Sequence, residues 1–173
     1  MKILLCPAGR VEQSTVEHLQ EDLREVFGCP MVMEPEIEIP SNAYHKKRAQ
    51  YSATVLLNTV KKKGVSRGDK ILGIVDVDIY VEDLNYIFGI ADASTSTCII
   101  SLTRLRQEYY GNQSDEILFR QRTAKEAVHE LGHLFGLGHC SEIRCIMHFS
   151  NSLQDTDIKQ STFCSNCMPT LIK

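Results

Sequence analysis

No stretch of the chain approaches the roughly 18 consecutive apolar residues of a membrane-spanning helix, so no membrane partner is expected. The opening MKILLCPAGRVEQ carries an apolar run too short for the core of a secretion signal. Strong charge is also missing. The formal net charge is −3, which gives no field to attract nucleic acid or an anionic surface. The one basic cluster, KKKGVSRGDK at residues 61–70, is interrupted by two glycines and reads as a solvated helix end and turn. There is no internal repeat and no low-complexity linker. The seven cysteines are an odd number, which argues against a complete disulfide framework. Without a secretion signal the expected compartment is the reducing cytoplasm, where clustered cysteines more often hold metal. What is present suits one ordinary globular unit: 173 residues, 43% hydrophobic and 24% charged.

Patterning divides the chain into alternating elements. KILLC at residues 2–6 predicts a strand, and Ser14 a cap for a helix whose apolar positions are Val16, Leu19, Leu23, Val26 and Phe27, ended by Gly28. Val32 to Ile39 alternates, with Pro35 marking an edge or a break. Tyr51, Val55, Leu56, Thr59 and Val60 predict a second amphipathic helix within residues 46–63. KILGIVDVDIYV at 70–81 predicts a central strand, with further short strands at 87–91 and 97–102. From Asp115 to Leu134 the composition forms helix throughout. The order is an α/β (α+β) layer. After Gly138 comes a tail rich in Cys, Ser, Asn and Asp, which cannot bury much by itself. Two units are therefore expected: 1–138 with the sheet and long helix, and 139–173 stapled by something other than a core.

The chemistry is concentrated in HELGHLFGLGHC, residues 129–140. His129 and His133 are four apart and leave one helix face a turn apart, where one ion can meet both. Glu130 stands beside them. Zinc with an open position lowers the pKa of a water to about 7, and a neighbouring carboxylate can take that water's proton and pass it to a leaving amine. Gly136 permits a left-handed turn that ends the helix and swings His139 back as a third ligand. In a straight helix His139 would lie on the opposite side.

Cys140, Cys145, Cys164 and Cys167 form two close pairs, the second a CxxC. They suit tetrahedral structural zinc better than a redox CxxC or two disulfides. Two zinc ions per chain are thus expected, tied back to back through the His139–Cys140 peptide bond. Cys6, Cys29 and Cys98 read as small buried residues. His18 and His45 read as surface residues.

HELGHLFGLGHC, the spacing to Cys145, Met147 and CSNC, and the runs FGIADASTSTCIISLTRL and VDVDIYV together resemble the archaemetzincins, a branch of the metzincin zinc peptidases. The resemblance implies a twisted mixed sheet above a long active-site helix, with residues 85–91 as the edge bordering a cleft. It implies His129, His133 and His139 as catalytic zinc ligands and Glu130 as general base. Met147 would be the methionine of the turn beneath the metal, and the four C-terminal cysteines the ligands of a structural zinc. Some metzincins carry a tyrosine two residues after that methionine, where Phe149 stands here. His148 is either a supporting or oxyanion-donating group, or a histidine satisfied by the turn backbone. The function expected is a zinc metallopeptidase acting on peptide or protein, aminopeptidase-like action included, as a monomer. The alternative is a zinc protein that binds peptides or partners with little turnover.

Overall fold

The computed structural model describes residues 1–168, so the last five residues of the expected 139–173 unit lie outside the described residues. Five strands form the main sheet: β1 (Ile3–Ala8), β2 (Met31–Met33), β5 (Lys70–Val75), β8 (Thr97–Ser101) and β7 (Gly89–Asp92), in the order β2-β1-β5-β8-β7. The first four are parallel, and β7 closes one edge antiparallel to β8. β1, β5 and β8 are the interior strands and are buried on both faces. Their sequences are accordingly continuous apolar runs. A smaller sheet, β3 (Tyr44–His45), β4 (Gln50–Ser52) and β6 (Ile79–Tyr80), sits beside it.

Helix α1 (Gln13–Phe27) buries Val16, Leu19 and Leu23, as their spacing requires, and ends at Gly28 with φ +60°. Its cap differs from expectation: Glu12 stands at the N-cap without a side-chain bond, and Ser14 lies inside the first turn. The second helix is shorter than expected. α2 spans Ala53–Lys61, capped by Ser52, while the preceding residues pair as β3 and β4. Val32–Ile39 forms a strand only to Met33, and Ile37 rejoins through a single bridge to Ala8, because Pro35 has no N–H to give the ladder. The 70–81 run splits into β5 and β6 around Asp76 and Asp78, whose carboxylates bind Arg106 and Arg104. Cys6 and Cys98 are buried; Cys29 is only partly so.

Helix α3 (Glu116–Leu134) is capped by Asp115, whose side chain accepts the Leu118 N–H at 2.9 Å. Ala127, Val128, Leu131 and Leu134 face the core beneath the sheet. The tail also contains a helix that its sequence does not advertise, α4 (Leu153–Ile158), started by a reciprocal Ser152–Asp155 capping box. It is bound to α3 by polar contacts. Arg122 forks onto Asp157 at 2.7 and 2.6 Å, and Lys159, with no exposed side-chain surface, donates to Glu126 at 3.2 Å. Cys145, Ile146, Met147, Phe163 and Cys167 complete the burial against α3.

Candidate active site and its cysteine neighbour

One stripe of α3 is polar, buried at Glu126, His129 and Glu130 and half-buried at His133. Glu126, His129, Glu130 and His133 follow the spacing i, i+3, i+4, i+7, and all line a cleft of about 580 Å³. Residues 84–91 form one wall, leading into β7, and Phe149, Ser150 and Asn151 form the other. α3 is the floor.

The turn after α3 brings His139 into this group. Gly136 has φ +87°. Its N–H donates to the His133 carbonyl at 3.0 Å, and the Leu137 N–H donates to the Gly132 carbonyl at 3.1 Å, the paired bonds of a Schellman cap. The same turn presents the Leu137 carbonyl to His133 Nδ1 at 2.8 Å. His129 Nδ1 meets the Ile146 carbonyl, also at 2.8 Å. A carbonyl only accepts, so both rings carry their proton on Nδ1 and turn a lone pair inward at Nε2. Those two Nε2 atoms are 3.2 Å apart, near the roughly 3.4 Å edge of a tetrahedron with Zn–N bonds of about 2.1 Å. The donor atoms of His129, His133 and His139 all lie within 4.8 Å of one another. Burial pushes the His129 pKa down to about 4, which keeps the ring in its neutral, ligating form. The donor set and spacing therefore fit zinc.

Glu130 lies beside the histidines against Gly89 of β7. A Cβ at Gly89 would come within 2.6 Å of Glu130 Cγ and Oε1. Burial, and then the Glu126 carboxylate, push the Glu130 pKa well above the usual carboxylate range. A cation in the histidine site opposes both effects. Gly89→Ala is accordingly expected to displace the carboxylate and cut kcat by about 10-fold or more with zinc content unchanged, since about 1 Å of misplacement can cost 100-fold. Steady-state kinetics with elemental analysis checks this.

Met147 is fully buried under the same turn of α3, in contact with Gly132. His139, exposed to the cleft, lies against the Phe149 ring at 4.9 Å. His148 does not line the cleft; its Nδ1 bonds the Cys140 carbonyl at 2.9 Å.

Cys140, Cys145, Cys164 and Cys167 form a second group. Sγ atoms of Cys140 and Cys164, and of Cys145 and Cys167, are each 3.8 Å apart. That matches the roughly 3.8 Å edge of a tetrahedron with 2.3 Å Zn–S bonds and is far from the roughly 2.05 Å of a disulfide. Backbone N–H groups of Cys167 and Asn166 favour the Cys164 thiolate and bring its pKa to about 7. Cys140 is also hydrogen-bonded to the other site's support, its N–H donating to the Met147 carbonyl at 2.9 Å.

Three residues of this region escape a reading of the sequence. Glu126 was legible in principle, since it continues the polar stripe by one turn. Lys159 and Tyr86 have no local signal, because only the tertiary fold brings them to α3 and to the cleft.

A sequence model described as Peptidase family M54 matches residues 10–173. The chain belongs to this family. Archaemetzincins from Methanocaldococcus jannaschii and Pyrococcus furiosus are each 39% identical to it, over 99% and 98% of this chain and 93% and 91% of theirs. The crystal structure of an archaemetzincin from Archaeoglobus fulgidus, complexed with malonate, superposes with a TM-score of 0.85 at 35% identity. It covers 98% of this chain and 99% of that one. A zinc-dependent peptidase from Methanocorpusculum labreanum superposes at 0.89 with 28% identity, over the same shares. This M54 protein is therefore a zinc metallopeptidase with the mixed α/β fold of the archaemetzincins. No helix among its described residues is long and apolar enough to cross a membrane.

Proposed function

We propose that His129, His133 and His139 hold the catalytic zinc, that Glu130 is the general base of peptide hydrolysis, and that Cys140, Cys145, Cys164 and Cys167 hold a second, structural zinc. The carrying observation is the convergence of three inward-facing imidazoles, two with their tautomer fixed by a backbone carbonyl, beside a buried carboxylate at the floor of a cleft. When bound, zinc supplies Lewis acidity, polarising a carbonyl and bringing the pKa of a water to about 7. Glu130 takes the proton of the attacking water and returns it to the leaving amine. Gly89 leaves room for that carboxylate between wall and floor. Met147 and the Ile146 carbonyl hold His129 and its turn of helix in place from below. An extended peptide adds to the edge strand β7, whose only partner among the described residues is β8. Phe149 offers no hydroxyl to the reacting carbonyl. A cytoplasmic location, where unpaired cysteines stay reduced, is compatible with the proposed sulfur site.

Elemental analysis tests the metal assignment. Wild type is expected to carry two zinc ions per chain, and a His129→Ala/His133→Ala double variant one. One zinc in both proteins would remove the histidine site from the proposal and favour a binding protein with little turnover. A peptide-library digest with wild type completes the test.

A further inference from the structure

Among the described residues, one hydrogen bond joins the two walls of the cleft. The Tyr86 hydroxyl, on the β7 side, donates to the Asn151 carbonyl on the facing wall at 3.2 Å. Both ends of this bond are held. The Arg104 guanidinium lies 4.0 Å from the Tyr86 ring centroid and is gripped by Asp78 through bonds of 2.6 and 2.8 Å. Phe88 meets the ring edge-on at 5.5 Å. Across the cleft, the Asn151 N–H donates to Asp155 at 3.0 Å, inside the α4 cap. Tyr86 is thus a braced bar between walls that rest on separate parts of the fold.

Its position along the cleft follows from the chain. Glu130 faces the wall at Gly89, three residues after Tyr86. The chain bends at Phe88 between them, so the two residues are at most about 10 Å apart, which leaves room for about three residues of a bound peptide or fewer between the bar and the point opposite the base. β7 runs from Gly89 to Asp92, away from the bar. A peptide that pairs antiparallel, the more stable ladder, therefore points its carboxyl end at Tyr86.

We infer that the Tyr86–Asn151 bridge is a specificity determinant of this peptidase: it bars the cleft on the carboxyl side of the scissile bond, so that cleavage releases fragments of about three residues or fewer from a peptide's carboxyl end. The inference rests on the peptidase reading above. A chain that continues past the bar has to part the hydroxyl from Asn151 and push the ring off Arg104. Together those contacts are expected to disfavour it by about 30-fold in kcat/KM.

The chain contains no tryptophan, so Trp-bearing peptides report binding without background. Zinc-loaded wild type, Tyr86→Phe and Tyr86→Ala are given a mixture of linear Trp-bearing peptides and the same peptides cyclised head to tail. Cut sites are read by mass spectrometry. Wild type is expected to cut the linear forms near their carboxyl ends and to prefer them by about 30-fold. Tyr86→Ala is expected to bring that preference within about threefold and move cut sites inward, and Tyr86→Phe, which keeps the ring on Arg104, to fall between. The Trp fluorescence of the same peptides, titrated with the Glu130→Gln variant, gives the same ordering without turnover. Cyclic peptides cut as fast as linear ones, cuts confined to amino ends, or an unchanged pattern in Tyr86→Ala would each overturn the inference while leaving the peptidase reading in place. Failure of wild type to cut any linear peptide would instead overturn that reading, and the inference with it.

Discussion

Glu130→Gln is expected to lower kcat by about 100- to 10,000-fold while zinc content stays at the wild-type level. The substitution is nearly isosteric, and at this site shape matters. Glu130 is buried at the cleft floor, and Gly89 has no space for a Cβ beside that carboxylate. The amide fills the same volume but cannot take a proton from the attacking water. It is also not a metal ligand in the proposed arrangement, so the three imidazoles keep their geometry and their ion. Thermal stability of the metal-free protein should not fall. In that state Glu130 is disfavoured as a charged group first by burial and then by the Glu126 carboxylate, and a neutral amide is subject to neither. Peptide kinetics, elemental analysis and a thermal melt on one preparation separate these effects. Activity within about tenfold of wild type, at full zinc content, would fall below the range for a lost general base and dismiss Glu130 from that role.

The parts of this molecule legible in its sequence are those whose determinants are local. α3 is written into residues 115–134 by its cap, its apolar stripe and its polar stripe, and Gly136 announces the turn that returns His139. The β1, β5 and β8 runs are continuous because both faces of those strands are covered. Elements decided by distant partners were not legible. The second helix is expected within residues 46–63, yet Gln50–Ser52 forms β4 and pairs with β3, because β6, almost thirty residues later, supplies a partner for Tyr51 and Ser52. α4 has only six residues and buries little beyond Thr156. Its stability comes from the Arg122 and Lys125 side chains of α3, which bind Asp157 and the carbonyls near the helix end. The same holds within the cleft. The proposed ligand set follows from spacing along one helix and one turn, whereas the Tyr86–Asn151 contact spans 65 residues of sequence and follows from no periodicity.

Removal of the cysteine site is expected to cost both metals, whereas removal of the histidine site costs one. Cys145→Ser/Cys167→Ser takes away the two buried sulfurs, which are in contact with each other, and leaves Cys140 and Cys164 as two sulfurs out of four. A structural zinc contributes apparent binding free energy of about 10–16 kcal/mol, as large as the whole stability of an ordinary domain. Part of the tail would stay attached without it, since the Lys159–Glu126 and Arg122–Asp157 pairs and the buried Phe163 do not depend on the ion. The segment between the sites is less secure. Cys140 joins His139 directly, and its backbone bonds the Met147 carbonyl and the His148 ring. Ile146, next to Cys145, supplies the carbonyl that fixes the His129 tautomer. Freeing Cys140 and Cys145 therefore loosens one proposed ligand of the catalytic ion, His139, and the orienting partner of another, His129. The variant should melt about 10–20 °C below wild type, the shift that about 5 kcal/mol produces in a chain of this size, and should bind no zinc at either site. The converse change, His129→Ala/His133→Ala, leaves every contact of the sulfur group in place and should retain one zinc with a far smaller loss of stability. The asymmetry distinguishes a structural ion that builds the catalytic site from two sites that merely adjoin. A cysteine variant that kept one zinc and its peptidase activity would show the sites to be independent.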